Sequence, residues 1–316
     1  MMEMSLPIAS LVALGGIVLL GLGAAWLVDG ASRLALRFGI SPMVVGLTVV
    51  GFGTSMPEFM VSVLAAVRGS GAMSVGNAVG SNVMNLWLVL GVSAMIRPMV
   101  VVGKRSTLAR DLVFGLLPAG VLLVAAWNGN LGRPVALSLI AIFAVFMVVA
   151  VTGARQEKNE PVVVAGSVGG HLAKTAAGVV GLTAGAEALV RGGSTVASAF
   201  GISEAVIGLT LVAFGTSLPE LATSVAAAIK GEAELSVGNV LGSNVFNLGL
   251  IVGTAFTIRP GPVPSFIIQQ DVPILGLATV MVGAMVVRNR RISRIEGGLL
   301  FACFAAYMLF VAIRGG

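Results

Sequence analysis

A block of 53 residues occurs twice in this chain, and that duplication limits its possible folds more than any other feature. Residues 46–98 align with residues 208–260 at a constant offset of 162 without a gap, and 30 of the 53 positions are identical. Gly46-Leu47-Thr48 and Phe52-Gly53-Thr54-Ser55-Met56-Pro57-Glu58 return as Gly208-Leu209-Thr210 and Phe214-Gly215-Thr216-Ser217-Leu218-Pro219-Glu220. Further on, Ser74-Val75-Gly76-Asn77 and Gly80-Ser81-Asn82-Val83-Met84-Asn85 return as Ser236-Val237-Gly238-Asn239 and Gly242-Ser243-Asn244-Val245-Phe246-Asn247. Polar residues are the best matched. Two halves that merely scaffold each other would not need that.

The solvent of this chain is a bilayer. Of its 316 residues 57% are hydrophobic and only 10% charged, with a mean hydropathy of +1.04, more apolar surface than a soluble domain can hide. A spanning helix needs about 20 apolar residues. Ten stretches qualify: Ala9–Leu27, Pro42–Val67, Ser74–Ile96, Leu112–Trp127, Val135–Val151, Thr175–Val190, Ala205–Ile229, Ser236–Ile258, Val272–Val287 and Gly297–Ile313. Each copy of the repeat then belongs to five spans. An odd number reverses the second half in the membrane, the plan of secondary transporters whose sites lie where the repeats meet. The expected fold is an all-α membrane protein of ten transmembrane helices in two inverted-topology five-helix repeats. Residues 1–154 form the first repeat, 155–165 a cytoplasmic connector and 166–316 the second repeat.

The net charge of +6 is a topology signal, with no need for nucleic acid. On a ten-span plan Arg33, Arg37, Arg97, Lys104, Arg105, Arg110, Arg155, Lys158, Lys174, Lys230, Arg288, Arg290, Arg291 and Arg294 gather on one side. Arg68, Arg133, Arg191, Arg259 and Arg314 lie on the other. The positive-inside rule makes the first side cytoplasmic and both termini extracytoplasmic. The first cation, Arg33, follows the first span, which speaks against a cleaved signal peptide. Cys303 has no partner for an intramolecular disulfide.

Gly-Thr-Ser-x-Pro-Glu falls near the centre of spans two and seven. Proline there removes a helical hydrogen bond to Gly53 or Gly215, and carbonyls so released in a bilayer must line a cavity or find a partner. Glu58 and Glu220 follow. A carboxylate at mid-bilayer costs at least about 2.5 kcal/mol, so two at matched positions point to function. Ser81 with Asn85, and Ser243 with Asn247, share helix faces at i, i+4. Together these groups offer carboxylate, hydroxyl, amide and main-chain oxygens without thiol or imidazole. Such ligands suit Ca²⁺ and Na⁺ over zinc or copper, and two carboxylates would balance one Ca²⁺. Emptied of cations they repel each other, so protons should compete with calcium for the pair.

These residues closely resemble the two α-repeats of the calcium/cation antiporter superfamily, in its prokaryotic sodium/calcium exchanger branch. The resemblance implies exchange of Na⁺ for Ca²⁺ by alternating access, with spans one and six sliding across a fixed bundle. It implies that Glu58 and Glu220 are the central ion-binding acids and that Thr54, Ser55, Thr216 and Ser217 supply oxygens. The carbonyls of Gly51 and Ala213 would serve outlying sodium sites, and Ser81, Asn85, Ser243 and Asn247 would support from adjoining helices. Transported Ca²⁺ and Na⁺ would be the only metal ions, with no cofactor, in a functional monomer of the plasma (inner) membrane. Asn247 stands where many potassium-dependent relatives carry Asp, which speaks against potassium coupling, and Gly76-Asn77-Ala78-Val79-Gly80 lacks the acid usual in the proton/calcium branch. An H⁺- or K⁺-coupled exchanger of Ca²⁺ or another divalent ion stays open, as does a cation channel. An intramembrane enzyme would need a nucleophile–base arrangement that the sequence does not show.

Other features read as structural. Asn77, Asn82, Asn239 and Asn244 brace packing, and Gly76-x-x-x-Gly80 and Gly238-x-x-x-Gly242 allow close helix contact. Asp29 with Arg33, and Glu187 with Arg191, form i, i+4 salt bridges near span ends. His171 is an interfacial residue.

Overall fold

The computed structural model describes residues 4–101, 105–127, 129–156, 164–200 and 213–315. Helix α1 runs Leu6–Phe38 and ends at Gly39, whose left-handed φ of 61° suits a residue without a Cβ. Helix α2, Pro42–Thr54, is bent by 49° from α3, Met56–Val67. Helix α4 continues from Gly71–Met84 through a π-helical stretch, Asn85–Val89, into Leu90–Ile96. Then come α5, Arg105–Ala125, and α6, Arg133–Gln156. The second half holds α7, Val168–Ala199, a helical turn at Ala213–Gly215, and α8, Leu218–Lys230. Helix α9 runs Ala233–Val245, π-helical Phe246–Val252 and Gly253–Ile258. Helix α10 joins π-helical Ile267–Asp271 to Val272–Asn289, and α11 is Arg294–Gly315.

Seven described helices are long and apolar enough to cross a membrane, or eight when the bent α2–α3 pair counts as one span. Ten were expected from the sequence. The sixth stretch, Thr175–Val190, lies in α7, which is 32 residues long but rich in glycine and threonine and marked by Lys174, Glu187 and Arg191. The seventh, Ala205–Ile229, begins outside the described residues.

The composition of α7 has a packing reason. It lies antiparallel against α1, and both helices carry glycine at seven-residue intervals: Gly16, Gly23 and Gly30 on α1, Gly178, Gly185 and Gly192 on α7. A Cβ at Gly23 would sit 2.6 Å from the Leu182 nitrogen, and one at Gly178 2.5 Å from the Leu27 nitrogen. The backbones touch, and any larger residue would force them apart. The Asp29–Arg33 and Glu187–Arg191 pairs form as the spacing predicts. Asp29 also takes Lys174 from α7 at 2.6 Å, tying the two helices together. His171 is buried, its ring against Gly166 and its carbonyl against Gly30.

Two short strand pairs close the ends of the bundle. Strand β1, Met99–Val100, pairs antiparallel with β4, Arg291–Ile292, and β2, Asn130–Leu131, with β3, Gly261–Pro262. The first pair joins the loop after α4 to the loop before α11, and the second joins the loop before α6 to the loop after α9. Matching long-range bonds accompany them. Arg97 donates to the Ile229 carbonyl and Arg294 to that of Ile96, while Arg133 donates to the Thr257 carbonyl. Each contact links segments that a ten-span alternation places on the same side.

The core is largest where α4 and α9 cross. The most apolar stretch of α9 is 94% buried, against 17% for that of α11, so α9 is central and α11 peripheral. The expected glycine packing holds on α9, where Gly238 and Gly242 lie against the main chain of Met43–Leu47. On α4, among the described residues, Gly76 meets only Ile267 at 3.5 Å and Gly80 meets nothing within 4 Å.

Candidate ion-binding site

Both copies of Gly-Thr-Ser-x-Pro-Glu break their helix at the serine. Ser55 (φ −85°, ψ 7°) and Ser217 (φ −91°, ψ 5°) leave helical geometry in nearly the same way. Pro57 and Pro219 then occupy the first turn of α3 and α8, where a missing N–H costs no helical bond. Glu58 and Glu220 stand in the same first turns, where the positive end of the helix dipole favours a carboxylate.

The two halves exchange partners across the site. Ser55 Oγ donates to Glu220 Oε1 at 2.9 Å, and Ser217 Oγ donates to Glu58 Oε1 at 3.1 Å. The Thr216 hydroxyl also faces Glu58, while those of Thr54 and Ser243 face Glu220. Each Gly-Thr-Ser turn therefore cradles the other half's glutamate. Ser217 and Ser81 hydroxyls lie 3.1 Å apart. Thr54 Oγ1 bonds the Val50 carbonyl at 3.1 Å and Asn239 Oδ1 at 3.0 Å, and lies 3.5 Å from Ser243 Oγ. The Gly51 carbonyl accepts from the Ser55 N–H at 3.2 Å and the Ser243 hydroxyl at 3.4 Å. Ala213 opens the helical turn Ala213–Gly215, three residues before Thr216.

Burial here is nearly complete. Glu58, Glu220, Asn85 and Asn247 are each 0% exposed. Glu58 Oε2, Glu220 Oε2, Asn85 Oδ1, Asn247 Oδ1 and Thr216 Oγ1 are buried without a hydrogen-bond partner. An unmet buried acceptor costs about 1–3 kcal/mol, more when charged. Five such oxygens in one region therefore suit a positive ligand. All are hard donors, fit for Na⁺ or Ca²⁺.

A cavity of ≈ 350 Å³ reaches the site, and Asn77, Ser81, Met84 and Phe214 are among its lining residues. Asp271 and Arg314 line it as well, bound to each other at 2.9 and 3.0 Å, with Arg314 over the Phe266 ring at 4.5 Å. Sequence spacing gives no hint of this pair, whose members are 43 residues apart.

The bracing asparagines lie closer to the site than their sequence reading implies. Asn77 Nδ2 donates to Ser62 and Asn239 Nδ2 to Ser224, both at 3.1 Å. Asn82 and Asn244 contact Asn247 and Asn85 directly. Their one visible signal was identity in both copies of the repeat.

A family model described as sodium/calcium exchanger protein matches residues 8–152 and again 171–313. The chain belongs to the sodium/calcium exchanger family. It is a membrane antiporter of that family and not an enzyme. Among its relatives, CaxA of Alkalimonas amylolytica is 36% identical over 95% of this chain and 97% of its own length. The sodium/calcium exchanger MaX1 of Methanosarcina acetivorans is 30% identical over 95% of this chain and 97% of its own. Among solved structures, the sodium-calcium exchanger NCX_Mj soaked without Na⁺ and Ca²⁺ superposes with a TM-score of 0.86 at 31% identity, covering 97% of this chain and 99% of that one.

Proposed function

We propose that this exchanger moves Na⁺ against Ca²⁺ by alternating access, through ten spans in two inverted five-helix repeats with the ion site between them. The observation that carries this reading is the reciprocal cradle: two fully buried glutamates, each held by the other half's serine, each with one oxygen unpartnered. Glu58 and Glu220 bind the cation centrally. Thr54, Ser55, Thr216, Ser217, Ser81 and Ser243 add hydroxyls, Asn85 and Asn247 add amide oxygens, and the Gly51 and Ala213 carbonyls serve outlying positions. A site shared by two halves can open to either side if the halves or the α1–α7 pair move, and a cavity lined by Ser81 offers the ion a route to it. The same-side loop contacts support the alternation of loops, and the cation bias supports extracytoplasmic termini in a plasma membrane. Each chain works as a monomer, because both halves of the cradle come from one chain.

Reconstitution tests the reading. Sodium-loaded liposomes diluted into sodium-free buffer should take up radioactive calcium, and choline-loaded liposomes should not. Glu58→Gln and Glu220→Gln should each abolish this uptake, at least about a hundredfold, since each leaves a desolvated cation with half its counter-charge. Uptake that ignores the sodium gradient would overturn the coupling and point to a proton-coupled exchanger or a channel.

A further inference from the structure

The asparagines where α4 and α9 cross settle a question of amide orientation. Asn82 Nδ2 donates to the main-chain carbonyl of Asn244 at 2.9 Å, and Asn244 Nδ2 donates to that of Asn82 at 3.3 Å. A main-chain carbonyl only accepts, so these bonds fix which end of each amide is nitrogen. The other ends, Asn82 Oδ1 and Asn244 Oδ1, can therefore only accept. Asn247 accordingly presents Nδ2 to Asn82 at 2.9 Å, and Asn85 presents Nδ2 to Asn244 at 3.1 Å. What remains free on Asn85 and Asn247 is oxygen, and both oxygens are buried without a donor. Turning either amide over would set oxygen against oxygen at hydrogen-bond distance.

We infer that Asn82 and Asn244 are positioning residues that aim the other half's amide oxygen, on Asn247 and Asn85, at the transported cation. The inference rests on the site proposed above and adds how its neutral ligands are held. Two bonds close a ring between Asn82 and Asn244, and two more attach Asn247 and Asn85 to it, all between residues 159 to 165 positions apart, so each site asparagine is oriented from the other half. The ring also selects for an amide at position 247. An ionised carboxylate there would meet Asn82 Oδ1 oxygen to oxygen, so the fixed charge of the site stays with Glu58 and Glu220.

The test is calcium binding by calorimetry on the full-length protein in detergent, with thermal unfolding of the ion-free protein measured alongside. Asn82→Ala should weaken calcium binding about tenfold, the usual order for losing a group that orients a metal ligand. Because Asn82 acts through Asn247, Asn82→Ala combined with Asn247→Ala should bind calcium no more weakly than Asn247→Ala alone. Asn244→Ala with Asn85→Ala gives the same cycle from the other half, should Asn82→Ala not fold. Additive losses, or a lower unfolding temperature with unchanged calcium affinity, would reduce the ring to packing and overturn the inference. If Glu58→Gln abolishes binding while the asparagine variants do not affect it, the site stands and only this inference fails. Calcium binding that survives both glutamate variants would remove the site itself.

Discussion

Around the buried carboxylates the two halves are near copies of each other, and away from them they diverge. Ser55 reaches Glu220 at 2.9 Å and Ser217 reaches Glu58 at 3.1 Å, while Asn77–Ser62 and Asn239–Ser224 are both 3.1 Å. Yet Gly238 and Gly242 are pressed against the main chain of α2, whereas Gly76 and Gly80 border a cavity. Thr54 is committed to Asn239 and a carbonyl, and its counterpart Thr216 has a free hydroxyl. Two-fold chemistry surrounded by one-sided packing is what an exchanger needs. Under the alternating access proposed above, the ion would meet equivalent ligands from either side with only one side open at a time.

The packing contrast carries the largest expected effect. A Cβ at Gly238 would collide with the Met43 carbonyl oxygen, so Gly238→Ala should destabilise by about 3 kcal/mol, at the upper end for overpacking. Gly80→Ala should change stability by less than about 1 kcal/mol, the gap in helix propensity between the two residues. Thermal unfolding in detergent reads both. Equal losses would mean that the two glycine faces are packed alike and that the one-sidedness is not real.

A smaller effect sharpens the symmetry of the site. Ser55→Ala and Ser217→Ala each remove a hydrogen bond to a buried carboxylate, worth about 1.5–3 kcal/mol. Calcium affinity measured by titration should fall at least about tenfold in either variant. A loss confined to one serine would show that the glutamates are not equivalent ligands.

The smallest contrast lies in the threonines. Thr216→Val should weaken calcium binding by about threefold with little change in stability, because its hydroxyl has no other partner. Thr54→Val should weaken calcium binding too and also lower stability by about 1 kcal/mol, because its hydroxyl ties α2 to α9 as well. Swapped outcomes would assign the two hydroxyls the opposite roles.

Much of this molecule was legible before any coordinates. Apolar stretches gave the membrane class, the 162-residue offset gave the duplication, and proline beside glutamate marked the broken helices and the acids. Local rules found the Asp29–Arg33 and Glu187–Arg191 pairs, because i, i+4 neighbours meet on any helix. Less was visible at the helix crossing. The π-helical turns that begin at Asn85 and Phe246 follow from no residue pattern that could be read in advance. The glycines that thin out the apolar character of Thr175–Val190 are there because its buried face is pressed on α1, a fact about its neighbour rather than about itself.

The sequence by itself determined which groups could hold a cation, since an acid or amide costly to bury declares itself wherever it occurs in an apolar span. Only the tertiary structure decided how they are shared. Each glutamate is cradled by a serine 159 or 165 residues away, and each site asparagine is turned by an asparagine from the other half. Hydrogen bonds have short reach and strict direction, so their partners are chosen by how the two halves dock, and the order of residues along the chain does not record that docking.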